Sequence, residues 1–313
     1  MRNAFIRRLM EIAELRKDIV LITGDLGFGV LTEFEQRFPN QYINAGVAEQ
    51  NMTAVATGMA LEGYITFTYS IGNFPTLRCL EQIRNDACYH GASLKVVSVG
   101  GGFSYGSLGM SHHATEDLSI MRALPGVLVC SPGSAFETEH VIDAIVAHNG
   151  PAYLRLERAA PDYKDDPSVP FLFGNARKIR EGSDVTLVAA GGVVAEAVLA
   201  ADDLRKYGIG ARVLSIHSVK PLDKAAILAA ATETGGIFTI EENSILGGLG
   251  GAVAEICLEH EIRPRIFRRL GIKDSYVSVV GDQSYLRAHV GLDHASIAAA
   301  VKTLLRSPVD NTN

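Results

Sequence analysis

Residues 42 to 63, YINAGVAEQNMTAVATGMALEG, carry the acid best placed for chemistry: Glu49, just past a glycine turn and at the start of a helical pattern. Met52, Val55, Ala56, Met59 and Ala60 recur at helical spacing, so this helix is read as buried. A carboxyl at such a mouth has two uses. It can satisfy free N–H groups of the first turn, or it can share a proton with a bound molecule. A second stretch, GGGFSYGSLGMSHH at 100 to 113, is a glycine-rich loop ending in adjacent histidines. Its glycine spacing does not fit a nucleotide-binding turn, and His112 with His113 lack a spaced third partner for a metal. GGLGG at 247 to 251 also imitates a dinucleotide turn, but its glycines are read as tight turns and close helix packing.

Short β-branched runs alternate with helical stretches and must position these residues. The first half predicts strands at 19–23, 65–69, 94–99, 127–130 and 152–156, with helices at 49–61, 74–89 and 135–147. The second half predicts strands at 184–190, 211–217, 236–241 and 265–269, with helices at 194–207, 224–232, 251–260 and 295–305. Apolar strands bounded by glycine and separated by helices require a mainly parallel sheet covered on both faces. The fold class is therefore α/β, with two consecutive doubly wound domains. Pro161, Pro167 and Pro170, set among acids without periodicity, mark a linker. The expected division is 1–160, a linker at 161–178, and 179–313.

A chain of 313 residues accommodates two such cores, and a net charge of −6 argues against a nucleic-acid partner. The N-terminal stretch places Phe5, Leu9 and Ile12 on one helical face and is interrupted by Glu11 and Glu14, which reads as an amphipathic helix rather than a signal peptide. Cys79, Cys88, Cys130 and Cys257 form no CxxC pair, which predicts reduced thiols in a cytoplasmic protein.

GVAEQNM followed by a small-residue helix resembles the pyrimidine-binding domain of the transketolase family of thiamine-diphosphate enzymes. The likeness continues through GDLG at 24 to 27, FTYSIGNFPTLRCLEQIRN, SHHATEDLSIMRALPGVLVCSPGS and EENSILGGLGGAVAE. It implies that Glu49 hydrogen-bonds the aminopyrimidine ring and promotes loss of the thiazolium C2 proton. Burial favours the protonated acid this role needs, while the helix N-terminus opposes it. The same resemblance places Asp25 at the cofactor or the interface and Phe74 on the pyrimidine face. Ile71 stands where the family has a second aromatic, and Tyr69 is a weaker candidate wall. It assigns His112 to the substrate and leaves His113 exposed and idle. Arg158 matches a phosphate-binding arginine, with Arg155 as its possible substitute.

Two positions depart from the family pattern: Gly100 stands for a histidine and Leu108 for an acid that reads sugar hydroxyls. An apolar side chain cannot accept those hydrogen bonds, so the resemblance does not by itself carry the usual ketose phosphate donor over to this chain. The sequence also has no GDG motif. The resemblance thus implies a partner, an N-terminal-section subunit with GDG that holds the pyrophosphate through Mg2+ or Ca2+. It further implies an α2β2 assembly acting on small-molecule sugars, without nucleic acid or membrane. The expected function is the C-terminal section of a split transketolase, moving a two-carbon ketol unit from a ketose to an aldehyde. The alternatives are the β subunit of a 2-oxoacid dehydrogenase or related acyl-transferring enzyme, a deoxyxylulose-phosphate-synthase-like activity and, in another class, a non-catalytic interaction protein that kept the fold.

Overall fold

The computed structural model describes residues 1–158, 163 and 165–306; residues 161, 162 and 164 of the expected linker lie outside them. The strands are β1 (Ile19–Thr23), β2 (Tyr42–Asn44), β3 (Ile65–Ile71), β4 (Leu94–Val99), β5 (Leu128–Cys130) and β6 (Ala152–Leu156), followed by β7 (Arg177–Arg180), β8 (Val185–Ala190), β9 (Ala211–Ser215), β10 (Ser218–Lys220), β11 (Ile237–Ser244) and β12 (Phe267–Ile272). Among the described residues they form a seven-stranded sheet ordered β10-β5-β6-β4-β3-β1-β2 and a five-stranded sheet ordered β12-β11-β8-β9-β7. Pairing is parallel except at β10 with β5 and at β7 with β9. The chain is thus two consecutive α/β domains with mostly parallel sheets.

Both faces of these strands are covered, which is why they read as near-continuous apolar runs: β1, β4, β6 and β8 are buried at every residue. The Arg2–Leu15 helix lays Phe5, Leu9 and Ala13 against the first sheet.

Four features differ from the expectation. First, β10 crosses over and joins the edge of the first sheet, pairing Ser218 with Cys130. The apolar cluster consequently runs across both domains, from Val20 and Met52 to Val188, Ile216 and Leu249. A three-residue strand carries too little periodicity to announce itself. Second, the expected helix at 74–89 is broken. It begins as a 3-10 turn at Leu77–Cys79, makes one α-turn at Leu80–Gln82 and continues as a π-type turn at Ile83–Cys88. At its start the backbone bonds run from the Arg78 N–H to Asn73 and from the Cys79 N–H to Thr76, five and three residues back rather than four, so no regular α-helix forms there. Third, the Glu49–Leu61 helix is buried on one face only. Met52, Thr53, Ala56, Thr57 and Ala60 face inward, whereas Val55 and Leu61 are exposed. Fourth, helices Thr32–Arg37, Asp117–Ala123 and Gln283–Val290 and strand β7, which begins inside the expected linker, were not anticipated.

Parallel strands deliver their following loops to one edge. The ends of β1, β3, β4 and β6 therefore bring together the turn at Asp25, the Ile71–Phe74 turn, the glycine-rich loop and Arg158.

Candidate active site

Glu49 lies at the first turn of its helix with only 3% of its surface exposed. The helix cap, Ala48, makes no side-chain bond. Among the described residues the Glu49 carboxylate accepts a hydrogen bond only from Arg78, at 2.7 Å, and none from its own helix. The capping use of this acid is therefore absent, and the carboxyl faces the strand-end edge. Gly24 lies against it: a Cβ there would meet the Glu49 Cγ in ordinary contact at 3.5 Å.

The Arg78 guanidinium also stacks over the Phe74 ring, 4.6 Å from its centroid. Phe74 in turn meets the His112 ring edge-on at 5.2 Å, and His112 lies 6.5 Å from Tyr105. Arg158 covers Tyr105 at 5.5 Å. Glu49, Arg78, Phe74, His112, Tyr105 and Arg158 thus form one continuous row. Ile71, half-buried at the end of β3, supplies the carbonyl that accepts the Phe74 N–H at 2.9 Å. Asp25 is exposed in the left-handed region at φ 57° and is held by Asn44, whose amide donates to Oδ1 at 3.0 Å and whose Oδ1 accepts the Asp25 N–H at 3.0 Å.

Three expected positions behave otherwise. Tyr69 is 2% exposed and stacks on Phe5 at 5.9 Å, so its ring is packed in the core rather than set as a wall of the row. Arg155 is buried beside Asp117 and donates to the carbonyls of Ala114 and Glu242 at 3.1 and 2.7 Å, so its guanidinium is committed to the fold and only Arg158 is exposed. His113 is buried rather than exposed. Its ring meets Phe103 edge-on at 5.1 Å, and burial pushes its pKa below the ordinary histidine value.

The sequence reading missed Arg78 and Tyr105. Arg78 stands four residues after Phe74, the spacing at which side chains on one helical turn meet, so that signal was available. Tyr105 was not legible, because its seat depends on Gly100, at φ 96°: a Cβ there would overlap the Tyr105 ring. The ring fills the space that a side chain at position 100 would take.

GGLGG also becomes explicable. Gly248 precedes the Leu249–Glu259 helix, whose Leu249 and Gly250 N–H groups donate to Glu241 at 2.7 and 2.8 Å. The helix mouth that a dinucleotide phosphate would need is filled by the chain's own carboxyl. Burial pushes the Glu241 pKa up to about 7 against the pull of those two N–H donors.

The chain matches the transketolase pyrimidine-binding domain over residues 1–162 and the transketolase C-terminal domain over 174–297. It is 38% identical over 298 residues to an apulose-4-phosphate transketolase subunit of Phocaeicola vulgatus, covering 95% of this chain and 94% of that one. It is 39% identical over 301 residues to a 6-deoxy-6-sulfo-D-fructose transketolase subunit of a Clostridium species, covering 96% and 92%. Among solved structures it resembles a split-gene transketolase described as an inactive beta4 tetramer, with a TM-score of 0.86, 35% identity and 97% of each chain covered. Campylobacter jejuni transketolase, at 19% identity, shares the fold with a TM-score of 0.82, and this chain spans 46% of it. The chain belongs to the transketolase family. Within that family it is the pyrimidine-binding and C-terminal section of a split, thiamine-diphosphate-dependent enzyme.

Proposed function

We propose that this chain transfers a two-carbon ketol unit from a ketose donor to an aldehyde acceptor, sharing thiamine diphosphate with an N-terminal-section partner in an α2β2 assembly. It is a subunit of a transketolase-like transferase and acts with a partner subunit. The carrying observation is the Glu49 carboxyl, buried, uncapped and turned toward the strand-end edge. The residues present fit an aminopyrimidine. Glu49 offers an acid to a ring nitrogen, and Phe74 with Ile71 offers a half-buried apolar face. Bound there, the cofactor supplies a carbon nucleophile for the ketose carbonyl.

This chain's own part is proton control and orientation. Glu49 hydrogen-bonds the pyrimidine ring nitrogen, and Arg78, ion-paired with it, orients its carboxyl. His112 donates to or accepts from the substrate hydroxyls. Arg158, spread over Tyr105, takes an anionic end of the donor. That last assignment suits the two relatives, whose names carry a phosphate ester and a sulfo group on the sugar. The partner is proposed to hold the pyrophosphate and its Mg2+ or Ca2+. Apolar side chains exposed around the row support such a partner: Phe28 is 82% exposed, Val47 75%, and Leu77, Leu108 and Met110 are exposed beside them. No described helix is long and apolar enough to cross a membrane.

The test is reconstitution with the N-terminal-section partner, thiamine diphosphate and Mg2+. The proposal predicts ketol transfer from ketoses with a phosphate or sulfonate end. Release of CO2 from a 2-oxoacid, without ketol transfer, would assign the chain to the dehydrogenase class instead.

A further inference from the structure

The glycine-rich loop that carries Tyr105 and leads to His112 is anchored from the far domain. Glu242, at the end of β11, accepts the Phe103 N–H at 2.6 Å through one oxygen and the Arg287 Nε–H at 2.6 Å through the other. Gln283, at the start of the Gln283–Val290 helix, donates its amide to Glu242 at 3.0 Å and to Glu157 at 2.8 Å. Ser104 of the loop donates to Glu157 as well. Glu157 and Glu242 are both buried, so two acids are kept together by one shared amide and one arginine.

The loop's glycines follow from this arrangement. A Cβ at Gly102 would collide with Glu242, and one at Gly106 with Leu286 of the same helix. Gly102 also lies in the left-handed region at φ 57° and bridges Ala114 in both directions, with N–H to carbonyl distances of 2.8 and 2.9 Å. The far domain thus reaches the loop backbone itself, and Ala114 ties that backbone to the residues just after His112.

We propose that Glu242, Gln283 and Arg287 are positioning residues that clamp the 101–106 backbone and thereby set where Tyr105 and His112 meet the substrate. None of the three touches the row directly; they act through the loop. This gives the C-terminal domain a defined part in substrate binding. The inference rests on the proposed function only in taking the loop as substrate-facing.

Gln283→Ala leaves two buried acids facing each other without the shared amide. Deuterium exchange of the full chain alone should then be at least about tenfold faster at the Phe103 and Ser104 amides, with exchange across β4 unchanged. In the assembled pair the donor KM should rise about five- to tenfold with kcat within about twofold, the mark of lost substrate positioning rather than lost chemistry. Ser284→Ala, on the same helix but exposed to solvent, should change neither. Unchanged loop exchange would overturn the clamp, and faster loop exchange with an unchanged KM would overturn its role in substrate binding. A wild-type pair without ketol transfer would contradict the proposed function, and the exchange arm would still decide the clamp.

Discussion

Glu49 and Glu241 each lie beside the mouth of a helix, Glu49–Leu61 and Leu249–Glu259. Glu241 gives both oxygens to the N–H groups of Leu249 and Gly250 and is sealed in the interior. Glu49 gives nothing to its own helix, and its described partner is Arg78, whose side chain is 46% exposed. Both acids have a glycine beside them, Gly24 for Glu49 and Gly248 for Glu241. One carboxyl caps a helix of the fold; the other leaves its own helix uncapped and pairs with a part-exposed arginine. A helix mouth therefore names no function by itself, and what decides is where its free N–H groups find their acceptor.

The sharpest break between the two acids should be in turnover. Glu49→Gln keeps the shape and removes the transferable proton, so ketol transfer by the assembled pair should fall by about 10²- to 10⁴-fold, the range for a lost acid–base group. The folded circular dichroism spectrum and the thermal midpoint should remain. The reciprocal change acts on stability. Glu241→Ala strands two buried N–H groups and should cost about 2–4 kcal/mol in a denaturant titration. A loss below about 0.5 kcal/mol, the range of ordinary surface substitutions, would mean that Glu241 does not serve as the cap.

A smaller effect sharpens the same contrast. The native Glu241 pKa is raised to about 7, above the ordinary carboxylate value, so between about pH 4.5 and 7 the folded chain keeps a proton that the unfolded chain has lost. This contribution to stability is complete below the unfolded pKa and is lost as pH rises through the folded one. His217, pushed down to about 4 by burial, opposes it on the acid side, so the variant must be compared with wild type at each pH. Glu241→Gln should remove a downward slope of up to about 1.4 kcal/mol per pH unit in that window. Identical slopes in the two proteins would show that Glu241 is ionised throughout.

Much of the fold was legible because long, fully buried strands announce themselves. β1, β4 and β6 lie where the apolar runs placed them, and the Glu49 helix keeps its expected limits. What escaped was short or depended on distant partners. β10 is three residues long and takes its meaning from Cys130, far back in the chain. On the N-terminal side of the site, Glu49 and Phe74 were picked out by the family resemblance, and Arg78, which contacts both, was not. Arg155 and Arg158 could not be separated by sequence, since one lies inside β6 and the other two residues past its end. Asp117, in a helix that was not foreseen, claims the first and leaves the second exposed. Tyr105 depends on a missing Cβ at Gly100, and His113 on Phe103, relations that only the folded loop creates.

The central claim is that Glu49, and not the acid at the other helix mouth, serves the cofactor. Proton exchange at C2 of thiamine diphosphate, followed by NMR in the assembled pair, reads this without any sugar substrate. The account predicts exchange slowed by about two orders of magnitude or more in Glu49→Gln and wild-type exchange in Glu241→Gln. Wild-type exchange in Glu49→Gln would contradict it.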